Sequence, residues 1–229
     1  SENYDVIVRY QGGANAGHTV VVNGQKYVLH LLPSGILHKG KLNVIGNGVV
    51  IELEELTKEI EAMRQRGIRV TSKNLMISEN AHVVMPYHKI LDSARESRSG
   101  SNKIGTTSRG IGPAYTDKYS RTGIRIRDIF DDKKLSDKIK NNLNEKNFVI
   151  KNYYNLDELS EKAIYETIIK QRDYIKPFVG NTVYALNDIL NKNKKILFEG
   201  AQGSLLDVEF GTYPYVTSSN PTIGGVMTG

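Results

Sequence analysis

The sequence contains no cysteine, which excludes disulfide bonds, thiolate metal sites and a cysteine nucleophile. A chain without cysteine suits a reducing compartment, so we expect a cytoplasmic protein. No apolar run approaches the roughly 20 residues that a helix needs to span a bilayer. The N-terminal segment SENYDVIVRY is neither basic nor a long apolar leader, and we therefore expect a soluble protein with no membrane partner.

Histidine is scarce, and its spacing argues against zinc. The five histidines are His18, His30, His38, His82 and His88. None of them forms a close metal-ligand pair such as HExxH. A metal ion, where one binds, is therefore expected to be a hard cation held by oxygen atoms.

The positive charge is concentrated in one segment. The chain has a formal net charge of +6, and the segment from Arg95 to Arg127 contains eight basic and two acidic side chains. The net positive charge of this segment alone therefore equals the net charge of the whole chain. A cationic stretch with glycines indicates an anionic partner: nucleotide phosphates, nucleic acid or an acidic surface. The alternative interpretation is a solvated basic face without a ligand.

Alternating strand, glycine-loop and helix signals predict an α/β fold with a mainly parallel central sheet and flanking helices. Strands are predicted at Tyr4 to Tyr10, Leu42 to Ile45, Leu75 to Ser78 and Ile196 to Phe198. Asn23-Gly24 predicts the turn of a hairpin, and Glu52 to Arg66 predicts a helix that Gly67 caps. Glycine loops after Tyr10, Ile45 and Phe198 are expected at the carboxyl ends of strands, where ligands bind in such sheets.

The second half of the sequence is predominantly helical. Met85 to Arg95 predicts a helix, and Ser97 to Pro113 predicts a long loop, because it contains five glycines or prolines. Between Ile124 and Glu199 the only glycine is Gly180, and apolar stripes recur at helical spacing. One stripe is Leu135, Ile139 and Leu143, and the other is Leu156, Leu159, Ala163, Thr167 and Ile168. We predict a helical subdomain over residues 128–194 within a single α/β domain over 1–229.

The segment GGANAGHT, from Gly12 to Thr19, has the spacing of a phosphate-binding Walker loop, but His18 stands at the position of the lysine. A Walker loop gains anion affinity from the helix that follows it, whereas a hairpin is predicted here. The segment GILHKGKL shows the same spacing at Gly35, Gly40 and Lys41, again before a predicted strand. Chance glycine spacing is the favoured explanation for both.

Four polar loops with glycines are candidate ligand sites: QGGANAGHT, IGTTSRGIGPAY, EGAQGSLLD and GTYPYVTSSN. Their glycines let backbone N–H groups approach an anion, but such loops are also ordinary turns with capping hydroxyls. His18 is either a proton donor at neutral pH or a hydrogen-bonded structural residue. Arg121 either binds a phosphate or pairs with Asp117 at the surface.

The combination of motifs is more specific than any one of them. RYQGGANAGHT, IGNGVV, IGTTSRGIGPAYTDK, FEGAQG and GTYPYVTSSN occur in this order, from about Val6 to the last residue. In order and spacing they resemble the adenylosuccinate synthetase family. The resemblance implies a P-loop NTPase-like synthetase fold, incomplete over these residues, and a ligase of purine and AMP biosynthesis. Such an enzyme joins IMP to L-aspartate with GTP and Mg²⁺, through 6-phosphoryl-IMP, and releases GDP and phosphate.

The resemblance also assigns roles to individual residues. His18 matches the catalytic histidine that assists at the purine 6-oxygen. The IMP-binding positions are Asn15, Ala16, Gly17, His18, Thr107, Arg121, Gln202 and Thr217. The GTP-binding positions are Gly17, His18 and Thr19, and the Gly17 carbonyl matches a Mg²⁺ ligand. Arg121 matches an arginine that reaches the neighbouring subunit's IMP, which implies a homodimer.

Some features depart from the family pattern. Ser108 stands where glycine is common, and Ala14 where histidine is common. The phosphate loop GDEGKGK, which supplies the family's catalytic aspartate, does not occur among the 229 residues. We therefore expect an internal piece of a longer enzyme, inactive alone. One alternative is a nucleotide-binding or dimerisation fragment without turnover. The other is a nucleic-acid-binding module on the basic segment, but its basic residues are interleaved with glycine, threonine and proline and no nucleic-acid-binding motif occurs, so we expect no nucleic-acid partner.

Overall fold

The computed structural model describes residues 3–100 and 103–229. Its strands are β1 (Val6–Gly12), β2 (His18–Val22), β3 (Gln25–Leu29), β4 (Leu42–Ile51), β5 (Leu75–Ser78), β6 (His82–Val83), β7 (Val179–Gly180) and β8 (Ile196–Glu199). Its α-helices are α1 (Leu53–Gln65), α2 (Pro86–Arg98), α3 (Ile111–Ser120), α4 (Asp132–Asn152), α5 (Glu161–Ile175) and α6 (Thr182–Asn191).

The central sheet is parallel, which confirms the predicted α/β class. Its strand order is β7-β5-β4-β1-β8, and β6 pairs with the far end of β4. Each of these pairings is parallel. The antiparallel pair β2–β3 is the hairpin predicted from Asn23-Gly24, with Val22 opposite Gln25. Because β1 lies between β4 and β8, the segments that follow these parallel strands lie close together at the carboxyl end of β1.

Helices cover both faces of the sheet, as burial of a parallel sheet requires. On one face α1 buries the apolar stripe that includes Leu56 and Ile60. The helix ends at Gln65, and Gly67 follows shortly after it with φ of +80°, which confirms the predicted glycine cap. On the other face Leu186 and Ile189 of α6 pack against a cluster that contains Val8. The sheet, packed on both faces, therefore positions the loops at its carboxyl edge.

The segment IGNGVV lies inside β4, so the loop predicted after Ile45 is wrong. Glycine is needed in this strand because a side chain on Gly48 would overlap the carbonyl oxygen of Tyr10 in β1. The pairing register of β1 with β4 shifts between Arg9 and Gln11, at the point of this close approach. Glycine here allows the backbones of two neighbouring strands to approach closely. Its usual association with loops therefore gave a wrong prediction for this segment.

The motif IGTTSRGIGPAY is only partly a loop. Gly110, with φ of +74°, precedes α3, and the helix begins at Ile111 with Pro113 in its first turn. Proline is tolerated there because the first N–H groups of a helix have no intrahelical partner. The helix is held by burial of Ala114 and Tyr115 against the end of β4. Residues 101 and 102 of the predicted loop lie outside the described residues, and α2 runs to Arg98, beyond its predicted end at Arg95.

The segment over residues 128–194 contains α4, α5 and α6, but it also contributes β7 to the sheet. Apolar residues of α4 and α5, such as Ile139 and Ile168, belong to the same core as Leu56 of α1 and Ile77 of β5. Leu156 of the second predicted stripe precedes α5 and is exposed. Independent behaviour of this segment as a subdomain stays a prediction.

Candidate functional site

The candidate site lies where β1 and β8 end, because neighbouring parallel strands deliver their following segments to the same edge of the sheet. The buried Gln11 amide joins these segments: its Nε2 donates to the Ala201 carbonyl over 2.8 Å and lies 3.3 Å from Gln202 Oε1. The Ala201 N–H donates back to Gln11 Oε1 over 3.3 Å. The motifs QGGANAGHT and EGAQG are therefore one structural unit.

His18 is the first residue of the hairpin, and its ring faces the carboxylate that ends β8. The distance from His18 Nε2 to Glu199 Oε1 is 3.8 Å, and both atoms are buried without a hydrogen-bond partner. Burial lowers the pKa of the His18 imidazole. The charge of Glu199 opposes this shift, while Arg9 and His30 reinforce it. The resting imidazole is therefore neutral at pH 7, beside a group that favours its protonation.

Glu199 is held by two further groups. Its Oε1 lies 3.9 Å from the guanidinium of Arg9, which is 1% exposed. Its Oε2 accepts a hydrogen bond from the Ser34 N–H over 3.0 Å and another from the Ser34 hydroxyl. Arg9 also donates to the Ala16 carbonyl over 3.3 Å, which ties the candidate loop to this buried pair.

Sequence reasoning missed Arg9 and Glu199 as parts of the site, although both lie in the quoted motifs. The available signal was a charged residue within an apolar strand, since an arginine is seldom fully buried without a partner. The sequence alone does not say that the partner is Glu199, because β8 follows β1 by more than a hundred residues. Adjacency of the two strands makes the pair.

The loop between β1 and β2 is packed closely. A side chain on Gly17 would lie 2.6 Å from His30 Nε2, so the glycine lets the loop pass close to the His30 ring. Ala14 is 1% exposed, which shows that a small apolar side chain is accommodated at this departure from the family pattern. The Asn15 Oδ1 atom is buried without a hydrogen-bond partner, while Thr19 is exposed on β2.

Tyr115 of α3 fastens this loop to the sheet. Its hydroxyl accepts a hydrogen bond from the Gly12 N–H over 2.9 Å and donates to the Gly48 carbonyl over 2.6 Å. A side chain on Gly13 would lie 2.6 Å from Ile111 Cδ1, so the start of α3 abuts the loop. The first turn of α3 therefore lies at the candidate site.

Gln202 and Thr217 lie on the segment that follows β8. Gln202 has φ of +66°, an uncommon conformation for a residue with a side chain. The Thr217 N–H donates to the Leu206 carbonyl over 2.8 Å, and its hydroxyl lies 3.2 Å from the Ser219 hydroxyl. Ser219 and Tyr115 line one cavity of about 20 Å³, so this segment also borders α3.

Thr107 and Arg121 do not join this cluster. Thr107 is exposed in the segment before α3, next to Ser108, whose φ is +54°. Arg121 is the exposed C-terminal cap of α3, whereas the start of that helix lies at the site. A helix of this length separates its two ends by about 15 Å. Arg121 is therefore remote from His18 within one chain.

The surface pairing of Arg121 with Asp117 is wrong. Asp117 is buried, and its carboxylate lies 2.9 Å from His88 Nε2 and 2.9 Å from Lys146 Nζ. His88 Nδ1 accepts from the Met85 N–H over 3.0 Å, so Nε2 carries the ring proton toward Asp117. This network joins α2, α3 and α4, and it leaves Arg121 without an ion pair among residues 3–100 and 103–229.

Neither Walker-like segment has Walker geometry. The first runs from the end of β1 directly into a hairpin, with Thr19 inside β2. In the second, Gly35 lies in a 3-10 turn and Leu42 begins β4. Neither segment opens a helix, so the anion affinity of a helix N-terminus is missing from both.

The basic segment is dispersed over several elements. Arg98 stacks on the Tyr153 ring, 4.4 Å from its centroid, and Arg109 pairs with Glu55 over 3.0 Å. Part of the charge excess is therefore used in intramolecular contacts. Across the described ranges, no helix has the length and apolar character to cross a membrane.

Binding of Mg²⁺ stays a prediction for this chain. Among the residues that the structure describes, no group of three or more histidine or acidic side chains could hold a metal ion. Mg²⁺ demands near-octahedral coordination and commonly takes phosphate and water oxygens beside one or two protein ligands. The Gly17 carbonyl could supply one oxygen, but these residues do not build a complete site.

The parallel sheet and the glycine-bearing segments at its carboxyl edge define an α/β protein with a candidate ligand site at its strand ends. The adenylosuccinate synthetase family profile matches residues 1–229. The adenylosuccinate synthetase of Halothermothrix orenii is 51% identical over 225 residues, which cover 98% of this chain and 52% of that protein. That of Pelodictyon phaeoclathratiforme is 52% identical and covers 100% of this chain and 52% of its own length.

Solved structures agree with these sequence matches. The fully ligated adenylosuccinate synthetase from Plasmodium falciparum has a TM-score of 0.88 and 37% identity, over 100% of this chain and 52% of that one. The succinoaminodeoxyadenylate synthetase of cyanophage S-2L, at a TM-score of 0.59 and 24% identity, shares the fold. The chain belongs to the adenylosuccinate synthetase family. It spans about half the length of the curated relatives that it matches.

Proposed function

We propose that the enzyme containing this chain is an adenylosuccinate synthetase. It transfers the γ-phosphoryl group of GTP to the 6-oxygen of IMP, and the amino group of L-aspartate then displaces phosphate. The products are adenylosuccinate, GDP and phosphate. Family membership supports the reaction, and the observation that carries the chemistry is the buried approach of His18 to Glu199 at the strand ends.

His18 is proposed to act at the 6-oxygen as general acid and electrostatic partner. Phosphoryl transfer turns a poor oxygen leaving group into phosphate, and a proton donor stabilises the charge that develops on that oxygen. Burial favours the neutral imidazole and Glu199 favours the protonated one, so His18 can both hold and release a proton at Nε2. A lysine would retain its proton too strongly for this exchange.

The substrate-binding residues are proposed from the family motifs. IMP is bound by Asn15, Ala16, Gly17, His18, Thr107, Arg121, Gln202 and Thr217, and the GTP phosphates lie beside Gly17, His18 and Thr19. The uncommon backbone of Gln202 and its contact with Gln11 support a fixed amide that faces the purine. The Gly17 carbonyl is proposed as one Mg²⁺ ligand, and Mg²⁺ would offset the charge of the GTP phosphates.

The enzyme is proposed to be a cytoplasmic homodimer in which Arg121 reaches the IMP phosphate of the neighbouring subunit. The exposed position of Arg121 at the far end of α3 supports a role outside its own site. Mixing an Arg121→Leu variant with a His18→Asn variant tests this, because hybrid dimers would regain one intact site. Activity of the mixture no higher than that of either variant would contradict the shared site.

The acid role of His18 is tested by His18→Asn in the full-length enzyme, with His38→Asn as the matched control outside the site. We expect kcat to fall by about 100-fold or more, with IMP affinity by calorimetry nearly unchanged. A near-normal kcat with intact binding would remove His18 from this role. If the unaltered 229-residue chain binds IMP without turnover, the alternative of a nucleotide-binding unit is favoured for the chain alone.

A further inference from the structure

Asp207 is the most highly bonded carboxylate in the segment that follows β8. The side chain is completely buried, and both of its carboxylate oxygens accept hydrogen bonds. Oδ1 accepts from the N–H groups of Glu209 and Phe210 and from Asn220 Nδ2, over 2.9, 3.3 and 3.1 Å. Oδ2 accepts from the Thr222 N–H over 3.1 Å and from its hydroxyl over 2.7 Å.

These hydrogen bonds join both halves of one loop, residues 203–222, to the Asp207 side chain. The Gly211 N–H donates to the Asp207 carbonyl over 2.8 Å, and a side chain on Gly211 would lie 2.5 Å from that oxygen. The loop is fastened to β1 by the Tyr10 hydroxyl, which donates to the Pro221 carbonyl over 2.5 Å. Gln202 immediately precedes this loop and Thr217 lies within it.

The donors around Asp207 require a charged acceptor. Three are backbone N–H groups and one is an amide N–H, and none of these can accept a hydrogen bond in return. Asparagine would place an NH₂ group against at least one of them, which would leave a buried donor unpaired. Burial raises the pKa of Asp207, but hydrogen bonds from Thr222 and from the backbone outweigh it and lower the pKa to about 2. The group is therefore ionised at neutral pH.

We propose that Asp207 is a positioning residue that holds Gln202 and Thr217 at a fixed spacing for the purine nucleotide. The inference rests on the proposed function, because those two residues are IMP-binding by proposal. Asp207 itself is completely buried, so its carboxylate is not exposed to a ligand. Loss of its carboxylate frees the loop, so part of the binding free energy is spent on ordering the loop again.

The test compares Asp207→Asn with Asp188→Asn, an exposed aspartate on α6, in the full-length enzyme. We expect the KM for IMP to rise about tenfold in Asp207→Asn while kcat changes by less than about threefold, as loss of ground-state positioning predicts. Hydrogen exchange should accelerate in residues 203–222. Asp188→Asn should match the wild type in each measurement. A folded Asp207→Asn enzyme with KM for IMP within about twofold of wild type would overturn the proposal.

A milder variant covers the case in which Asp207→Asn does not fold. Thr222→Val removes the hydroxyl that donates to Oδ2 and keeps the side-chain volume and the backbone N–H. It should raise the KM for IMP in the same direction by a smaller factor, and an unchanged KM in this variant also counts against the proposal. Absence of IMP binding by the wild-type enzyme would instead refute the proposed function, whatever hydrogen exchange shows for the loop.

Discussion

Asp128 is expected to contribute measurably to stability, and the contribution should depend on pH. Its buried carboxylate lies 2.6 Å from Lys134 Nζ and 3.0 Å from Lys138 Nζ, and it accepts from the Arg125 N–H over 3.0 Å. Burial raises the pKa of Asp128, but these partners outweigh burial and lower the pKa from 3.8 to about 2. We therefore choose Asp128→Asn as the perturbation.

The size of the effect follows from the shifted pKa. At about 1.4 kcal/mol per pKa unit, the ionised carboxylate stabilises the folded state by about 2 kcal/mol at pH 7. Because the folded-state pKa of Asp128 is depressed, this stabilisation is complete above pH 3.8 and is lost as the pH falls through about 2. At pH 3 about 1 kcal/mol should remain. Lys134 and Lys138 reach solvent, so high salt should weaken the effect further.

The assay is urea denaturation of wild type and Asp128→Asn at pH 7 and pH 3. The matched control is Asp137→Asn, an exposed aspartate on the same helix, α4, which should leave the free energy of unfolding within about 0.5 kcal/mol of wild type. A destabilisation by Asp128→Asn that is equal at both pH values would refute the electrostatic argument. So would a loss below about 0.5 kcal/mol at pH 7.

Two further changes test the close contacts of β1 and β8. Gly48→Ala should lower the free energy of unfolding by about 3 kcal/mol or more, because the new side chain would overlap the Tyr10 carbonyl. The control is Gly203→Ala, because a side chain on Gly203 would have no atom within 4 Å, and it should leave the free energy of unfolding nearly unchanged. Equal destabilisation by the two variants would contradict this reasoning. Glu199→Gln should lower the pKa of His18 further, since the Glu199 charge now raises it. An NMR titration of the His18 ring that shows no change would refute their coupling.

Local sequence patterns predicted correctly those elements whose structure depends only on neighbouring residues. The Asn23-Gly24 hairpin and the Gly67 cap of α1 follow from backbone preferences of neighbouring residues, and both occur as predicted. The hairpin also excludes a Walker loop before any relative is considered. The helix α3 was missed because glycine and proline in IGPAY read as a loop, while burial of Tyr115 overrides that preference.

The sequence also predicted only some of the residues of the candidate site. The motifs identify His18 and Gln202 by their spacing in the sequence, but their roles rest on the family resemblance. Glu199 and Asp207 lie in the same motifs, and nothing in their sequence context distinguishes a surface carboxylate from a buried one. Their partners show the difference, since those partners come from other strands or from the far side of a loop.

The sequence by itself determined the α/β class, the hairpin, the first helix and the family. Periodicity and turn chemistry depend on residues a few positions apart, and these interactions are the same in any fold. The tertiary structure decided that β8 lies beside β1, that Glu199 faces His18, and that Gly48 lies against Tyr10. Such contacts depend on strand order and register, which many distant residues set together, so no local pattern contains them.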